Sequence, residues 1–159
     1  MTYAAKLGAR DISTGAEWQI AKPHHTLIVH LGGRMDALET ELDGHCTNLG
    51  PANPAEYWLI PAGSAYAAAA RGQTIRFVEI AIPEALLDAD PCAARFDAGL
   101  ARLAAASASG DARATDAILE RLGASRTYPS GRRMAAPIAR RLRMLVHDEL
   151  GQPDRKSVV

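Results

Sequence analysis

Histidine, cysteine and serine are the side chains in this sequence that could act as catalytic groups or metal ligands, and their spacing argues against both roles. His24 and His25 are adjacent, so on an extended segment their side chains would point to opposite faces and could not enter one site together. Cys46 follows His45 directly, which is sequence adjacency without the pattern of a nucleophile and its base. Ser64 lacks the Gly-x-Ser-x-Gly setting of a nucleophile elbow. The sequence therefore predicts no catalytic residue, no cofactor and no metal site.

Aromatic and polar side chains suited to binding a small molecule lie within or beside the apolar segments. Trp and Tyr rings can stack on a sugar or an aromatic ligand, whereas His, Arg and Glu can fix its hydroxyl groups or its charge. Two candidates also have an ordinary structural explanation, since Trp58 could belong to the core and His30 could be a hydrogen-bonded residue of a strand. The candidate ligand-binding residues are Tyr66, His30, Trp58, Trp18, Arg34 and Glu79.

Short apolar segments separated by turn residues would position these side chains. The central one is the run Tyr57–Ile60, which stops at Pro61 and is followed by Gly63, a sequence typical of a strand that ends in a tight corner. Met35–Leu42 also fits a helix, but the turns on both sides favour a strand. Short predicted strands that follow one another at intervals of about 8–12 residues are typical of an all-β barrel or sandwich. The other predicted strands are Ile12–Ala21, Thr26–Leu31, Met35–Leu42, His45–Leu49 and Thr74–Ile82.

Helical spacing replaces this pattern in the last third of the chain. A first amphipathic helix is predicted over Pro91–Ala106, where apolar residues recur at intervals of four and three. Asp111 can cap a second helix that Gly123 would end. Residues 126–136 have the composition of a linker. A third amphipathic helix is predicted over residues 137–153.

Length and composition indicate a single domain with an ordinary core, since the chain has 159 residues of which 48% are hydrophobic. Two cysteines without CxxC spacing predict a reduced, cytoplasmic protein. Neither a signal peptide nor an apolar run of about 20 residues is evident, so no membrane contact is expected. Residues 1–125 carry 10 Lys and Arg against 15 Asp and Glu, whereas residues 126–159 carry 8 against 3. The basic end fits either a polyanion contact or a solvated, arginine-rich helix face.

Residues 18–83 resemble a cupin barrel, the double-stranded β-helix, and more specifically the N-terminal sensor domain of AraC/XylS-type transcription regulators. The resemblance rests on Leu31-Gly32-Gly33-Arg34, on Gly50-Pro51 and on Trp58–Gly63, followed by the apolar strand Thr74–Ile82 and Pro83. The Pro-x-Gly corner is common to all cupins. The resemblance implies a mainly β fold with C-terminal helices, in which the barrel binds a small effector.

The same resemblance implies a division of the chain. Residues 1–90 would form the cupin-like barrel, residues 91–125 a helical pair that forms a homodimer, and residues 137–153 the first helix of a helix-turn-helix domain. The dimer contact would involve Phe96, Leu100, Leu103, Ile118 and Leu122.

The sequence departs from that family after Pro153. A regulator would continue with the recognition helices that enter the major groove, whereas residues 154–159 resemble a translated sequencing adapter and are predicted to be a non-native tail. We therefore expect the effector-sensing and dimerising part of a DNA-binding regulator, with specific DNA contact only in a longer parent protein. It is not expected to be an enzyme.

The alternative is a stand-alone small cupin, either a metal-dependent enzyme or a sugar-binding module. Enzymes of that fold hold a divalent metal with a His-x-His-x(3–4)-Glu motif and a further histidine three residues after the glycine of Pro-x-Gly. That last position is Tyr66 here, His30 stands alone, and Glu39 and Glu41 lie too far along the chain. Tyr66 would therefore contact a ligand at the mouth of the barrel instead of a metal.

Overall fold

The computed structural model describes residues 4–88 and 95–125, which form nine strands, one 3₁₀ turn and two α-helices. All strand pairings are antiparallel. The 3₁₀ turn, Glu84–Leu86, follows the eighth strand. The strands are β1 (Ala4–Asp11), β2 (Ala16–Ile20), β3 (His25–Gly32), β4 (Met35–Leu42), β5 (His45–Leu49), β6 (Glu56–Ile60), β7 (Tyr66–Gly72), β8 (Thr74–Ile82) and β9 (Arg95–Phe96).

Two antiparallel sheets form a sandwich in the described part of the chain. The first sheet has the strand order β1-β8-β3-β6-β9, and the second has the order β2-β7-β4-β5. Side chains alternate between the two faces of each strand, so every second residue points into the space between the sheets. The interior between the sheets contains Ile12, Ile20, Leu38, Ala52, Trp58, Ile60, Tyr66, Ala68, Ala70 and Ile75.

The predicted strands are confirmed to within a few residues, and the Pro-x-Gly corner forms as expected. Gly63 adopts a φ of +82° and donates its N–H to the carbonyl of Lys22 at 2.8 Å. The strand predicted over Ile12–Ala21 is shorter, because Ser13 and Thr14 form a turn before β2 begins at Ala16. Strand β3 begins at His25, one residue before the predicted start at Thr26.

Two α-helices cover the outer face of the first sheet. They are α1 (Ala98–Ala108) and α2 (Ala112–Ser125). Asp97 caps α1 by accepting the N–H of Leu100, and the same carboxylate holds Arg121 of α2 through two bonds of 2.7 and 2.8 Å. This charge-assisted pair joins the start of one helix to the other, and the guanidinium lowers the pKa of the Asp97 carboxyl below its ordinary value of 3.8.

The helices begin and end at positions different from those predicted. Helix α1 begins at Ala98, because residues 95 and 96 pair with β6 as a short strand. Phe96 is therefore not part of a helical stripe, and its side chain is 68% exposed. Asp111 caps α2 as predicted by accepting the N–H of Arg113 at 3.0 Å. Gly123 does not end α2, which continues to Ser125.

Three of the side chains assigned to a dimer contact lie in this chain's own core. Leu100, Ile118 and Leu122 are buried against β3, β6 and β8, so they cover the sheet and are not open to a second subunit. Leu103 is partly buried against the same core. Dimerisation itself stays a prediction, and these buried residues do not supply its surface.

His25 connects the Pro-x-Gly corner to the segment that leads to the helices. Its Nδ1 accepts the backbone N–H of Ala62 at 2.9 Å, and its Nε2 donates to the carbonyl of Leu87 at 2.7 Å. These two roles place a ring proton on Nε2 and leave Nδ1 as the acceptor. The imidazole thus fixes two chain segments that are distant in sequence.

We expect His25→Leu to lower the free energy of unfolding by about 2–3 kcal/mol, because two backbone groups lose their partners in a buried environment. Urea denaturation measures the loss. The matched control is His24→Leu, since His24 is half-buried and its ring forms a hydrogen bond with the carbonyl of the neighbouring residue. Equal losses in the two variants would contradict this role of His25.

The remaining assignments concern residues outside the described ranges. The linker over 126–136, the helix over 137–153 and the tail over 154–159 all lie there. In residues 4–88 and 95–125, no helix has the length and apolarity needed to cross a membrane.

Candidate functional site

A cavity of about 290 Å³ lies between the two sheets. Strands of both sheets contribute to its wall, with β1, β3, β6 and β8 on one side and β2, β4 and β7 on the other. Its lining residues are Arg10, Trp18, Gln19, Ile20, Lys22, Ile28, His30, Met35, Leu38, Trp58, Tyr66, Ile75, Phe77 and Glu79.

Five of the six candidate ligand-binding residues line this cavity. They are Trp18, His30, Trp58, Tyr66 and Glu79. The sixth, Arg34, is exposed in the turn between β3 and β4 and forms an ion pair of 2.8 Å with Asp36. The structure therefore brings together residues that are up to 61 positions apart in sequence, and it excludes Arg34 from the group.

Strand alternation explains why these side chains converge. On β3, Ile28 and His30 point inward, and Ile28 lies opposite both Trp58 of β6 and Glu79 of β8. His30 lies opposite Phe77 of β8. Because directly opposite residues of an antiparallel pair share one face, one wall of the cavity is a continuous patch built from three adjacent strands.

A glycine on the edge strand makes room for one aromatic ring of that wall. Gly8 of β1 pairs with Phe77, and a Cβ atom at Gly8 would lie 2.8 Å from two atoms of the phenylalanine ring. That distance is shorter than any normal contact between carbon atoms. The absence of a side chain at Gly8 therefore allows the Phe77 ring to keep its place beside the cavity.

Two of the side chains that line the cavity carry a buried polar atom without a hydrogen-bond partner among the described residues. These atoms are Nε2 of His30 and Nε1 of Trp58, and the side chains are only 2% and 4% exposed. Buried polar groups in folded proteins are nearly always paired. A small molecule that supplied the missing partners would therefore be held at these two atoms.

The environment of His30 favours its neutral form. Burial lowers the pKa of His30 from its ordinary value of 6.5, while a backbone hydrogen bond with Gly33 and the carboxylate of Glu56 act in the opposite direction. A hydrogen bond that raises the pKa of a histidine is one that the ring donates. In the tautomer that is protonated on Nδ1, Nε2 can therefore accept a hydrogen bond.

We expect the free energy of unfolding to fall as the pH drops below 6.5, in part because of His30. Its folded-state pKa is the lower one, so the unfolded chain takes up a proton first. The stabilisation is complete above pH 6.5 and is lost as the pH falls through the folded-state pKa. Urea denaturation at several pH values measures this slope. The variant His30→Gln should have a shallower slope, and an identical slope would contradict the assignment.

The mouth of the cavity is polar and was not anticipated from the sequence. Arg10 lies over the Trp18 ring at 5.2 Å from its centroid, a cation–π contact, and donates to the carbonyl of Glu17 at 3.3 Å. Gln19 and Lys22 are exposed beside it. Arg10 belongs to β1, a strand that lacks apolar alternation, so the sequence carried no signal for its place at the site.

Phe77 and Ile75 were also missed as lining residues, although the sequence did contain a signal for them. Residues 75, 77 and 79 alternate on β8, and Glu79 had already been chosen as a candidate. Applying the period of two to the whole strand would have placed all three on one face.

Metal-binding groups do not converge at this site. Within residues 4–88 and 95–125, His, Cys, Asp and Glu nowhere form a group of three that could hold a metal ion. Tyr66 occupies the position after the Pro-x-Gly corner, is 5% exposed and lines the cavity.

Comparisons with known proteins give little guidance. No family model matches the sequence, and no curated protein matches it. Among solved structures, the chain is similar to a crystal structure provisionally assigned as ethanolamine utilization protein Q from Salmonella typhimurium LT2, with 20% identity and a TM-score of 0.38. The match covers 53% of this chain and 60% of that protein. A likeness this distant carries no argument about fold or function. The protein is thus defined by its own geometry as a two-sheet β-sandwich with an interior cavity.

Proposed function

We propose that this chain is a small-molecule-binding module whose site is the cavity between the two sheets. The observation that carries the proposal is the pair of buried, unpartnered atoms, His30 Nε2 and Trp58 Nε1, in a wall that is otherwise mostly apolar. A buried polar group without a partner costs about 1–3 kcal/mol. A ligand that pairs with both atoms removes that cost, and few polar groups in an apolar wall are typical of ligand sites.

We further propose that the sandwich is a cupin-like barrel and that it senses an effector for an AraC/XylS-type transcription regulator. The support is the sequence resemblance centred on Trp58–Gly63 and the order of strands followed by a helical pair. In this role the protein is cytoplasmic, acts as a homodimer and contacts DNA through a longer parent protein. Ligand occupancy of the cavity would be the signal.

Tryptophan fluorescence tests the binding function directly. The chain contains two tryptophans, and both line the cavity, so a change in their emission reports on this site. The full chain is titrated with a panel of small sugars, aromatic alcohols and amines. A saturable change that a cavity-filling substitution removes is the expected result. If no compound shifts the emission or the melting temperature, the binding proposal is wrong.

The regulator proposal has a separate test. The genomic locus downstream of the codon for Pro153 is sequenced, and a reading frame of roughly 80–100 further residues with two helix-turn-helix patterns is expected. A stop codon after Val159 at the native locus would overturn this proposal. It would leave the binding proposal intact.

A further inference from the structure

We propose that the ligand is an uncharged aromatic ring compound with a hydroxyl group, of the phenol class. This inference rests on the proposed binding function and concerns the same cavity. The hydroxyl proton is donated to Nε2 of His30, and the hydroxyl oxygen accepts the N–H of Trp58. The ring lies among the aromatic and aliphatic side chains of the two sheets.

Four aromatic side chains contribute to the wall of the cavity. Trp18, Trp58, Tyr66 and Phe77 all line it, and these are four of the eight aromatic residues in the sequence, which has 2 Trp, 4 Tyr and 2 Phe. Aromatic rings favour offset stacking and edge-to-face contacts with one another. The aliphatic residues between them are Ile20, Ile28, Leu38 and Ile75.

The size of the cavity fits one substituted ring. Its volume is about 290 Å³, roughly twice the ~150 Å³ of an engineered apolar cavity that admits benzene. A single ring with one or two substituents fills such a space, whereas a ligand of two fused rings with long side chains does not fit without movement of the wall.

His30 and Trp58 provide one acceptor and one donor on the same wall. Ile28 pairs with Trp58, so His30, two residues further along β3, is a diagonal neighbour of Trp58 on the inward face. Diagonal neighbours lie within reach of long side chains. Nε2 of neutral His30 accepts in the tautomer that is protonated on Nδ1, and Nε1 of Trp58 donates. A hydroxyl group both donates and accepts, so it complements this pair.

A sugar fits this polar inventory less well. Tyr66 and Glu79 are the other polar side chains in the wall, whereas Arg10, Gln19 and Lys22 are exposed at its mouth. A pyranose with five hydroxyl groups has more of them than His30, Trp58, Tyr66 and Glu79 can pair one to one, and each hydroxyl group buried without a partner lowers affinity. One hydroxyl on a flat ring leaves none unpaired.

A quaternary ammonium ion is the other ligand that an aromatic wall could attract, since such ions bind over aromatic faces. Glu79 would favour it, but Arg10 already occupies the face of Trp18 and Lys22 adds a second positive charge. The ion also has no group that can pair with His30 or Trp58. The wall therefore favours an uncharged ring.

The test compares three rings of similar size on the full chain by ¹H–¹⁵N NMR titration. Phenol donates and accepts, anisole only accepts, and toluene does neither. We expect phenol to bind about tenfold more tightly than toluene, with the affinity of anisole between them. A difference of this size corresponds to about one or two neutral hydrogen bonds between the ligand and the protein. The Trp58 indole N–H signal, assigned with Trp18→Phe, should move downfield with phenol and anisole and stay nearly unchanged with toluene.

A variant pair isolates the acceptor. His30→Leu should remove the advantage of phenol over anisole and leave toluene binding within about twofold of the parent. The matched control is His24→Leu, which lies outside the cavity lining and should change none of the three affinities. The ligand series on the parent chain needs no variant, so it decides the question even if His30→Leu does not fold.

Three results would overturn the inference, and they differ in what they imply for the proposed binding function. Tighter binding of methyl glucoside or tetramethylammonium than of phenol would reject the phenol class and keep the binding function. Equal affinity for the three rings would reject the roles of His30 and Trp58 in the same way. Binding of none of the five probes rejects the ligand class, and the proposed function fails as well only if the fluorescence panel also shows no response.

Discussion

Replacing Ile118 with alanine is expected to lower the free energy of unfolding by about 2–5 kcal/mol, the cost of removing a large buried aliphatic side chain and leaving a cavity. Ile118 is 1% exposed and belongs to the cluster between α2 and the outer face of the first sheet. We expect this loss in a single chain, because the cluster is formed by residues of α1, α2 and the first sheet of the same molecule. Urea denaturation of the variant and of the parent measures it.

Protein concentration distinguishes this packing from a contact between subunits. If Ile118 joined two chains, the unfolding midpoint of the parent would rise with concentration, because association stabilises only the folded form. We expect the loss caused by Ile118→Ala to be the same at low and high concentration. Glu120→Ala, on the exposed face of α2, is the matched control and should stay within about 0.5 kcal/mol of the parent. A loss that grows with concentration would contradict the assignment.

Strands with apolar or β-branched residues could be predicted from the sequence, whereas two strands without them could not. Strand β7 contains four consecutive alanines after Tyr66, and alanine has low intrinsic preference for a strand. Its conformation comes from pairing with β2 on one side and β4 on the other. Strand β1 has a polar, glycine-containing sequence and pairs with β8 at the edge of its sheet. Pairing with neighbouring strands therefore determines the conformation of both β7 and β1.

The helices illustrate a different limit of prediction from the sequence. The apolar periodicity indicated that they are amphipathic, but an apolar stripe does not reveal which surface covers it. Leu100 and Ile118 fit a dimer contact and a sheet cover equally well on the sequence alone. In the structure both residues belong to the core on the outer face of the first sheet, where the helices bury the outward side chains Val29, Val78 and Ile80.

The candidate site was predictable in its residue types and unpredictable in its geometry. Trp18, Trp58 and Tyr66 were chosen for their chemistry, and strand pairing brought them to one cavity. Arg34 was chosen for its charge and lies elsewhere, since a turn residue has no strand alternation that fixes its direction. Arg10 was missed for the converse reason, because its polar strand gave no sign that it borders the interior.

Filling the cavity is the sharpest test of the site. We expect Ile28→Phe to change the free energy of unfolding by less than about 1 kcal/mol, since the added ring carbons can occupy existing space and create no overpacking. Ile28 lines the cavity and lies opposite Trp58 and Glu79. A ligand and the new ring then compete for one space. Accommodating both requires repacking that costs about 1–3 kcal/mol, so affinity for the phenol probe should fall roughly 10- to 100-fold.

Val29→Phe is the matched control, because the neighbouring residue points to the opposite face of β3. Val29 is fully buried between the first sheet and the helices and does not line the cavity. The same ring should therefore cost about 1–3 kcal/mol of stability there through overpacking and leave ligand affinity unchanged. Two adjacent substitutions would thus have opposite effects, one on binding and one on stability. If Ile28→Phe destabilises the fold as much as Val29→Phe and binding persists, the interior space between the sheets is not the ligand site.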